Sequence, residues 1–165
     1  MEYNALQKEI YDNKIRQGFN TTDLGKEILL LAEEYGELCE SHLLHDKEGS
    51  LDAVADIMVY AIGLCALFKK DADDIANRHV ESPARPTFEG YIPCLGKEIG
   101  LMARKYRRSN KKAIGEIDCD EQVMGHVGNI IGYCSKLFSV MNEDEKKVLE
   151  EIVEKNSKRT GQVRI

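Results

Sequence analysis

Tryptophan is absent from this chain, and all 3 of its prolines fall between Pro83 and Pro93. Long proline-free stretches suit helices, because proline removes a backbone donor and disrupts a helix interior. No apolar run approaches the roughly 20 residues that a membrane-crossing helix needs, and the longest candidate, Ile57 to Phe68, reads as a buried helix. The first residues, Met1-Glu-Tyr-Asn-Ala-Leu-Gln-Lys8, lack the basic-then-apolar pattern of a secretory signal. The 5 cysteines (Cys39, Cys65, Cys94, Cys119, Cys134) are odd in number and include no CxxC pair. That excludes metal-finger spacing and argues against a disulfide framework. Cys39, Cys65 and Cys134 sit in apolar helical patterns, where a free thiol behaves as a small hydrophobe. A reducing, cytoplasmic setting is the expectation. An excess of basic residues is also missing: the net charge is −6. Neither nucleic acid nor a membrane is therefore expected as a partner.

What is present is an ordinary globular composition, 42% hydrophobic and 32% charged over 165 residues, enough for one domain. A first helix is expected over about 3–17, with Leu6, Ile10 and Ile15 inward and Gly18 ending it. Asn20-Thr-Thr-Asp23 supplies cap residues for a second helix, about 23–45, whose stripe is Leu24, Ile28, Leu31, Leu38 and Leu43. Glu48-Gly-Ser50 reads as a break, with Ser50 or Asp52 capping a third helix over about 51–70. A short helix from Asp71 to His79 follows, and then a proline-bearing connector over 81–93.

After the connector the chain starts again. Leu24-Gly-Lys-Glu-Ile-Leu-Leu-Leu-Ala-Glu-Glu-Tyr35 matches Leu95-Gly-Lys-Glu-Ile-Gly-Leu-Met-Ala-Arg-Lys-Tyr106, and Ala61-Ile-Gly-Leu-Cys65 matches Ile130-Ile-Gly-Tyr-Cys134. This pattern predicts a tandem duplication of a helical hairpin plus a short helix. One all-α domain over 1–165 is expected, with a first repeat at 20–80 and a degenerate second repeat at 93–158. Asn142-Glu-Asp-Glu145 reads as a capping box for a last helix over about 143–157, and the tail from Gly161 as frayed. Each hairpin exposes an apolar stripe that must be buried, so the two should form a helical bundle as an intrachain pseudo-dimer. Met58, Tyr60 and Phe68 offer further apolar surface to a homodimer.

The chemistry concentrates in the first repeat. Glu34 and Glu37 lie one turn apart on one expected helix, and Asp52 and Asp56 one turn apart on the next. Facing helices carrying such pairs would repel unless cations sat among them, and hard cations such as Mg²⁺ take these oxygen ligands. In the second repeat the counterparts of Glu33, Glu34 and Glu37 are Arg104, Lys105 and Arg108, and the counterpart of Asp56 is Gly125. A solvated acidic helix face is the plain alternative, but Ala32, Gly36 and Ala55 beside the acids leave room for ions and substrate.

Glu33-Glu-Tyr-Gly-Glu37 resembles the EExxE motif of MazG-like, all-α nucleoside triphosphate pyrophosphohydrolases, and Asp56 falls at the Asp of their ExxD motif. The likeness covers about 24–68 well. Ala53 stands where ExxD has its Glu, and Asp52 is the nearest substitute, about 100° round the helix. The resemblance implies Mg²⁺, with Mn²⁺ as a stand-in, held by Glu34, Glu37, Asp56 and the improvised Asp52. It implies Glu33 as the group that orients or deprotonates the attacking water. It further implies cleavage of a (deoxy)nucleoside triphosphate or related nucleotide to monophosphate and pyrophosphate.

Lys155-Asn-Ser-Lys-Arg159 is similar to the family's Lys/Asn/Arg signature, so Lys155, Asn156 and Arg159 are expected at phosphate or base, with Asn77 and Arg78 as first-half counterparts. Arg104 and Arg108 are either a triphosphate-facing or nucleic-acid patch or a charged helix end, which basic residues favour anyway. Two rivals are a catalytically weak nucleotide-binding or regulatory protein and a helical interaction module with no small-molecule site. A di-iron bundle built on Glu40, His42 and His45 fails on spacing, since that class needs Glu-x-x-His.

Overall fold

The computed structural model describes residues 2–80, 85–110, 113–115 and 120–159. Among them the chain forms seven helices and no strand: α1 (Asn4–Gln17), α2 (Leu24–Leu43), α3 (Lys47–Leu67), α4 (Ala72–Ala76), α5 (Phe88–Arg108), α6 (Asp120–Val140) and α7 (Glu145–Ser157). The all-α expectation holds. Cys119 and the tail from Gly161 lie outside the described residues.

Short polar side chains set most helix starts. Asp23, Asp46, Asp71, Thr87 and Asp144 each accept a backbone N–H of the first turn, which satisfies donors that have no partner within the helix. Gly18 ends α1 in the left-handed region at φ 68, a conformation that costs glycine little.

Three boundaries depart from the sequence reading. Asp46, not Ser50 or Asp52, caps α3, so Glu48-Gly-Ser50 lies inside the first turns. Asp144 caps α7, while Asn142 takes φ 58 between the helices instead of opening a capping box. The connector is shorter than 81–93, because α5 begins at Phe88 and holds Pro93 within it. Pro93 forfeits the bond to the Glu89 carbonyl, but both residues are exposed, where water can replace it.

Helix α3 is the centre of the bundle. Ala53, Val54, Ala55, Ile57, Met58, Ala61, Ile62, Leu64 and Cys65 are all buried, on every side of the helix. By length and composition α3 would pass for a membrane span, yet 67% of its apolar window is buried inside the protein. It packs on α2, α6, α1 and α7. Met58 and Phe68 are therefore covered within the chain, and the surface they were expected to offer a second copy is already used. Ile15 and Leu43, expected inward, are 54% and 77% exposed: Ile15 lies about 140° round α1 from Ile10, and Leu43 is the last residue of α2.

The two hairpins, α2–α3 and α5–α6, meet through α2 against α5 and α3 against α6. Each hairpin's following helix crosses to the other: α4 packs chiefly on α6, and α7 on α3. At the α2–α5 contact the matched positions touch reciprocally. A Cβ at Gly25 would lie 2.7 Å from Tyr106 Oη, and one at Gly96 would lie 2.5 Å from Tyr35 Oη. This is the relation that a two-fold interface shows between subunits, here within one chain. The consequence for function is the crossing of α7, which brings its C-terminal end over α3 and α1.

Candidate functional site

A cavity of about 350 Å³ opens between α1, α2, α3 and α7. Its volume is at the lower end of the usual range for small-molecule sites. One face of α2 supplies Glu27 and Glu34, two turns apart, with Leu31 between them anchored in the core. Glu33 and Leu30 flank that face, and Asp56 and Tyr60 project from consecutive turns of α3. Ile10, Asn13 and Lys14 come from α1, Phe19 and Asn20 from the turn after it, and Val153, Asn156 and Arg159 from α7. The end of α7 is tied down by Gln17, whose Nε2 donates to the Asn156 carbonyl at 2.8 Å.

The structure thus brings Glu33, Glu34, Asp56, Asn156 and Arg159 to one cavity. Glu34 is buried, and Glu33 is exposed at the rim. Burial pushes the Asp56 carboxyl above its ordinary value of 3.8. A hydrogen bond from the Asn156 amide and the charge of Arg159 pull the other way, the charge of Asp52 adds to the rise, and that of Lys155 opposes it. Lys155 and Asp52 are thus close enough to act on Asp56 electrostatically, although neither lines the cavity.

The other expected residues lie elsewhere. Glu37 is exposed one turn beyond Glu34 and does not line the cavity. Asn77 and Arg78 follow α4: Asn77 lines a surface hollow beside Tyr3 and Asn4 at the start of α1, and Arg78 pairs with Glu121 of α6 at 2.8 Å. Arg104 and Arg108 are exposed on α5. Ala53, at the position of the ExxD glutamate, is 2% exposed and belongs to the core. His42 lies against the Phe88 ring at 5.2 Å, and His45 is exposed with φ 56. Among the described residues no three His, Cys, Asp or Glu side chains are grouped closely enough to hold a metal ion together. The donors that do face the cavity, the Glu34 and Asp56 carboxylates, are hard oxygens from adjacent helices, and their chemistry fits a hard divalent cation.

Sequence reasoning missed the other end of the cavity. Glu27 is fully buried, and Lys14, 6% exposed, reaches its Oε1 at 2.8 Å. Asn20 Nδ2 donates to the same oxygen at 3.0 Å. Glu27 Oε2 is buried with no hydrogen-bond partner among the described residues. A signal was present: Glu27 sits on the same helical face as Leu24, Leu31 and Leu38, where an acid is out of place unless paired. Its matched residue Glu98 is buried too, with His126 Nδ1 at 2.7 Å and Lys97 Nζ at 3.0 Å. Compared with protein-family models, with curated proteins and with solved structures, the chain gives no significant match.

Proposed function

We propose that this protein is a Mg²⁺-dependent nucleotide pyrophosphohydrolase, cleaving a (deoxy)nucleoside triphosphate or related nucleotide to the monophosphate and pyrophosphate. The observation that carries this is the meeting of Glu33, Glu34, Asp56, Asn156 and Arg159, from three helices, at one cavity. Glu34 and Asp56 would hold the cation, with Glu37 and Asp52 on the adjoining turns available to an enlarged ligand set. The cation, when bound, neutralises phosphate charge and polarises the phosphoanhydride.

The chain's own groups do the rest. Arg159 and Asn156, which line the cavity, would take phosphate oxygens, Arg159 by charge and Asn156 by its amide. Glu33 sits at the open rim, where it can orient water for attack on the α-phosphorus and take its proton. A P–O bond forms from that water, and the bond from the α-phosphorus to the bridging oxygen breaks. Pyrophosphate leaves with the bridging oxygen. Apolar walls from Leu30, Val59 and Val153 lower the local dielectric and strengthen each of these charge interactions.

A nucleotide-binding protein without turnover is the second reading. It is favoured by Ala53 in the core and by Asp52 and Glu37 outside the cavity lining. Pyrophosphate release from a triphosphate panel with Mg²⁺ separates the two. Release by the wild type that is lost in Glu34→Gln supports the hydrolase. Mg²⁺- and nucleotide-dependent thermal stabilisation without release supports binding alone. Absence of both sinks the two readings together.

A further inference from the structure

The end of the cavity around Glu27 has no part in the phosphate chemistry. Glu27 and Glu34 are seven residues apart on one helix, so their carboxylates are separated by about 10 Å along the axis. If the Glu34 end takes the phosphates, the Glu27 end lies where the far part of a nucleotide must go. What stands there is a fully buried carboxylate with one oxygen satisfied twice and the other not at all. Buried polar atoms are nearly always partnered, and this one belongs to a residue that lines the cavity, so what enters there can supply its donor. The Lys14 ammonium balances the charge through Oε1 and leaves Oε2 as a fixed acceptor.

The walls beside it are aromatic. Phe19 and Tyr60 line this end, and Lys14 Nζ stands 5.9 Å from the Tyr60 ring centroid. A flat ring carrying N–H donors on its edge satisfies both features at once.

We infer that Glu27 is a base-reading residue whose Oε2 accepts from the amino edge of a nucleobase, so the site selects amino-bearing bases over uracil and thymine. The inference rests on the nucleotide reading of the cavity, though not on turnover. An exocyclic amine gives Oε2 a donor. Uracil and thymine carry their ring N–H between two carbonyl oxygens, which a carboxylate repels. Hypoxanthine lacks the amine that guanine has. A site built around a buried hydrogen-bonding group discriminates strongly, because the wrong ligand leaves that group unpaired.

The test is calorimetric binding, with Mg²⁺, of α,β-methylene triphosphates in two matched pairs, cytidine against uridine and guanosine against inosine. The amino-bearing member should bind tighter by at least about tenfold in one pair or both, and in neither should the order reverse. Glu27→Gln should bring the ratio towards one, because its amide presents a donor as well as an acceptor. That variant leaves Lys14 buried without its counter-charge, so Lys14→Met/Glu27→Gln, which removes both charges, is measured beside it with a melting curve for each. Equal affinities within both pairs, a reversed order, or ratios unchanged in the folded double variant would overturn the inference. No binding of any analogue overturns it together with the nucleotide reading. Discrimination that depends on Glu27 without pyrophosphate release leaves it standing while the hydrolase reading fails.

Discussion

The hydroxyl of Tyr35 occupies the space that a side chain at Gly96 would need: a Cβ there would lie 2.5 Å from Oη. Burial, with smaller contributions from Cys39 and Cys94, pushes the Tyr35 hydroxyl up to about 12, so it stays a donor, and it gives its proton to the Ile92 carbonyl at 3.1 Å. Tyr106 closes over Gly25 in the same way. These two contacts let α2 and α5 approach closely, and α2 carries the acids of the cavity.

Gly96→Ala should therefore destabilise the protein. Overpacking of this kind costs about 1–3 kcal/mol, against a helix-propensity gain for Ala over Gly of about 1 kcal/mol. Tyr35→Phe removes the nearest of the colliding atoms and leaves the ring carbon Cζ, 2.7 Å from the same Cβ, so it relieves the overlap in part. In a double-mutant cycle read by urea melts, Gly96→Ala should be less costly in the Tyr35→Phe background than in the wild type. Equal costs in both backgrounds would show that the hydroxyl is not what excludes the methyl group.

The buried Lys14–Glu27 pair makes a second, separable prediction about stability. Lys14→Met leaves a fully buried carboxylate without its cation, and breaking such a pair costs about 3–5 kcal/mol. Adding Glu27→Gln removes the stranded charge, so the double variant should be more stable than Lys14→Met alone. Chemical denaturation of the wild type, both single variants and the double variant checks this. A double variant as unstable as the sum of the single changes would mean that the two side chains act independently.

How far the sequence could be read is clear at these same positions. Leu24, Ile28, Leu31 and Leu38 are buried as their spacing requires, because a three-to-four-residue stripe leaves a helix one way to face a core. The start of α3 lies earlier than the sequence suggests because Gly49 and Ser50 look like breakers. In the first turn they cost little, and the side chain of Asp46 takes the Gly49 N–H at 2.9 Å. Glu33, Glu34 and Asp56 were legible as acids at helical spacing on consecutive helices. The place of Glu27 on the apolar face of α2 was legible too, but its pairing with Lys14 and Asn20 was not, since that depends on α1 packing against α3 and α7, and no local periodicity encodes that docking. Asn77 and Arg78 were carried over from their counterparts by position alone. The crossing of α4 onto α6 takes them away from the acids, and Arg78 settles on Glu121 instead.

Glu98 should make stability depend on acid. Burial raises its carboxyl, but hydrogen bonds from His126, Lys97 and Asn129, with the Lys97 charge, outweigh that and hold it below its ordinary 4.5. A carboxylate with a lowered folded value contributes stability above its unfolded value and loses it as the pH falls through the folded one. Glu98→Gln should thus cost about 1–3 kcal/mol near neutrality, and the gap from the wild type should narrow as the pH falls below the ordinary value of 4.5. Urea melts of both proteins between pH 3 and pH 7 read this directly. A gap that stays constant over that range would remove the charge from the account.

Asp56 should behave in the opposite sense, and its behaviour ties stability to function. Its carboxyl is raised above 3.8, with burial the main cause. An acid with a raised folded value favours folding when protonated, and that contribution is lost as the pH rises through the folded value. At neutral pH the ionised Asp56 therefore strains the cavity, and Asp56→Asn should melt at a higher temperature than the wild type without Mg²⁺. Below the unfolded value near 3.8 the advantage should vanish, because both proteins then carry a neutral group. Added Mg²⁺ should reverse the order at neutral pH, since a cation that binds the folded carboxylate stabilises the wild type and finds no anionic ligand at that position in the variant. Melting curves at pH 3 and pH 7, with and without Mg²⁺, check all three statements. If Asp56→Asn is stabilising but Mg²⁺ moves the two proteins equally, Asp56 is a half-buried acid with no part in cation binding, and the ligand set must be sought at Glu34 and Glu37.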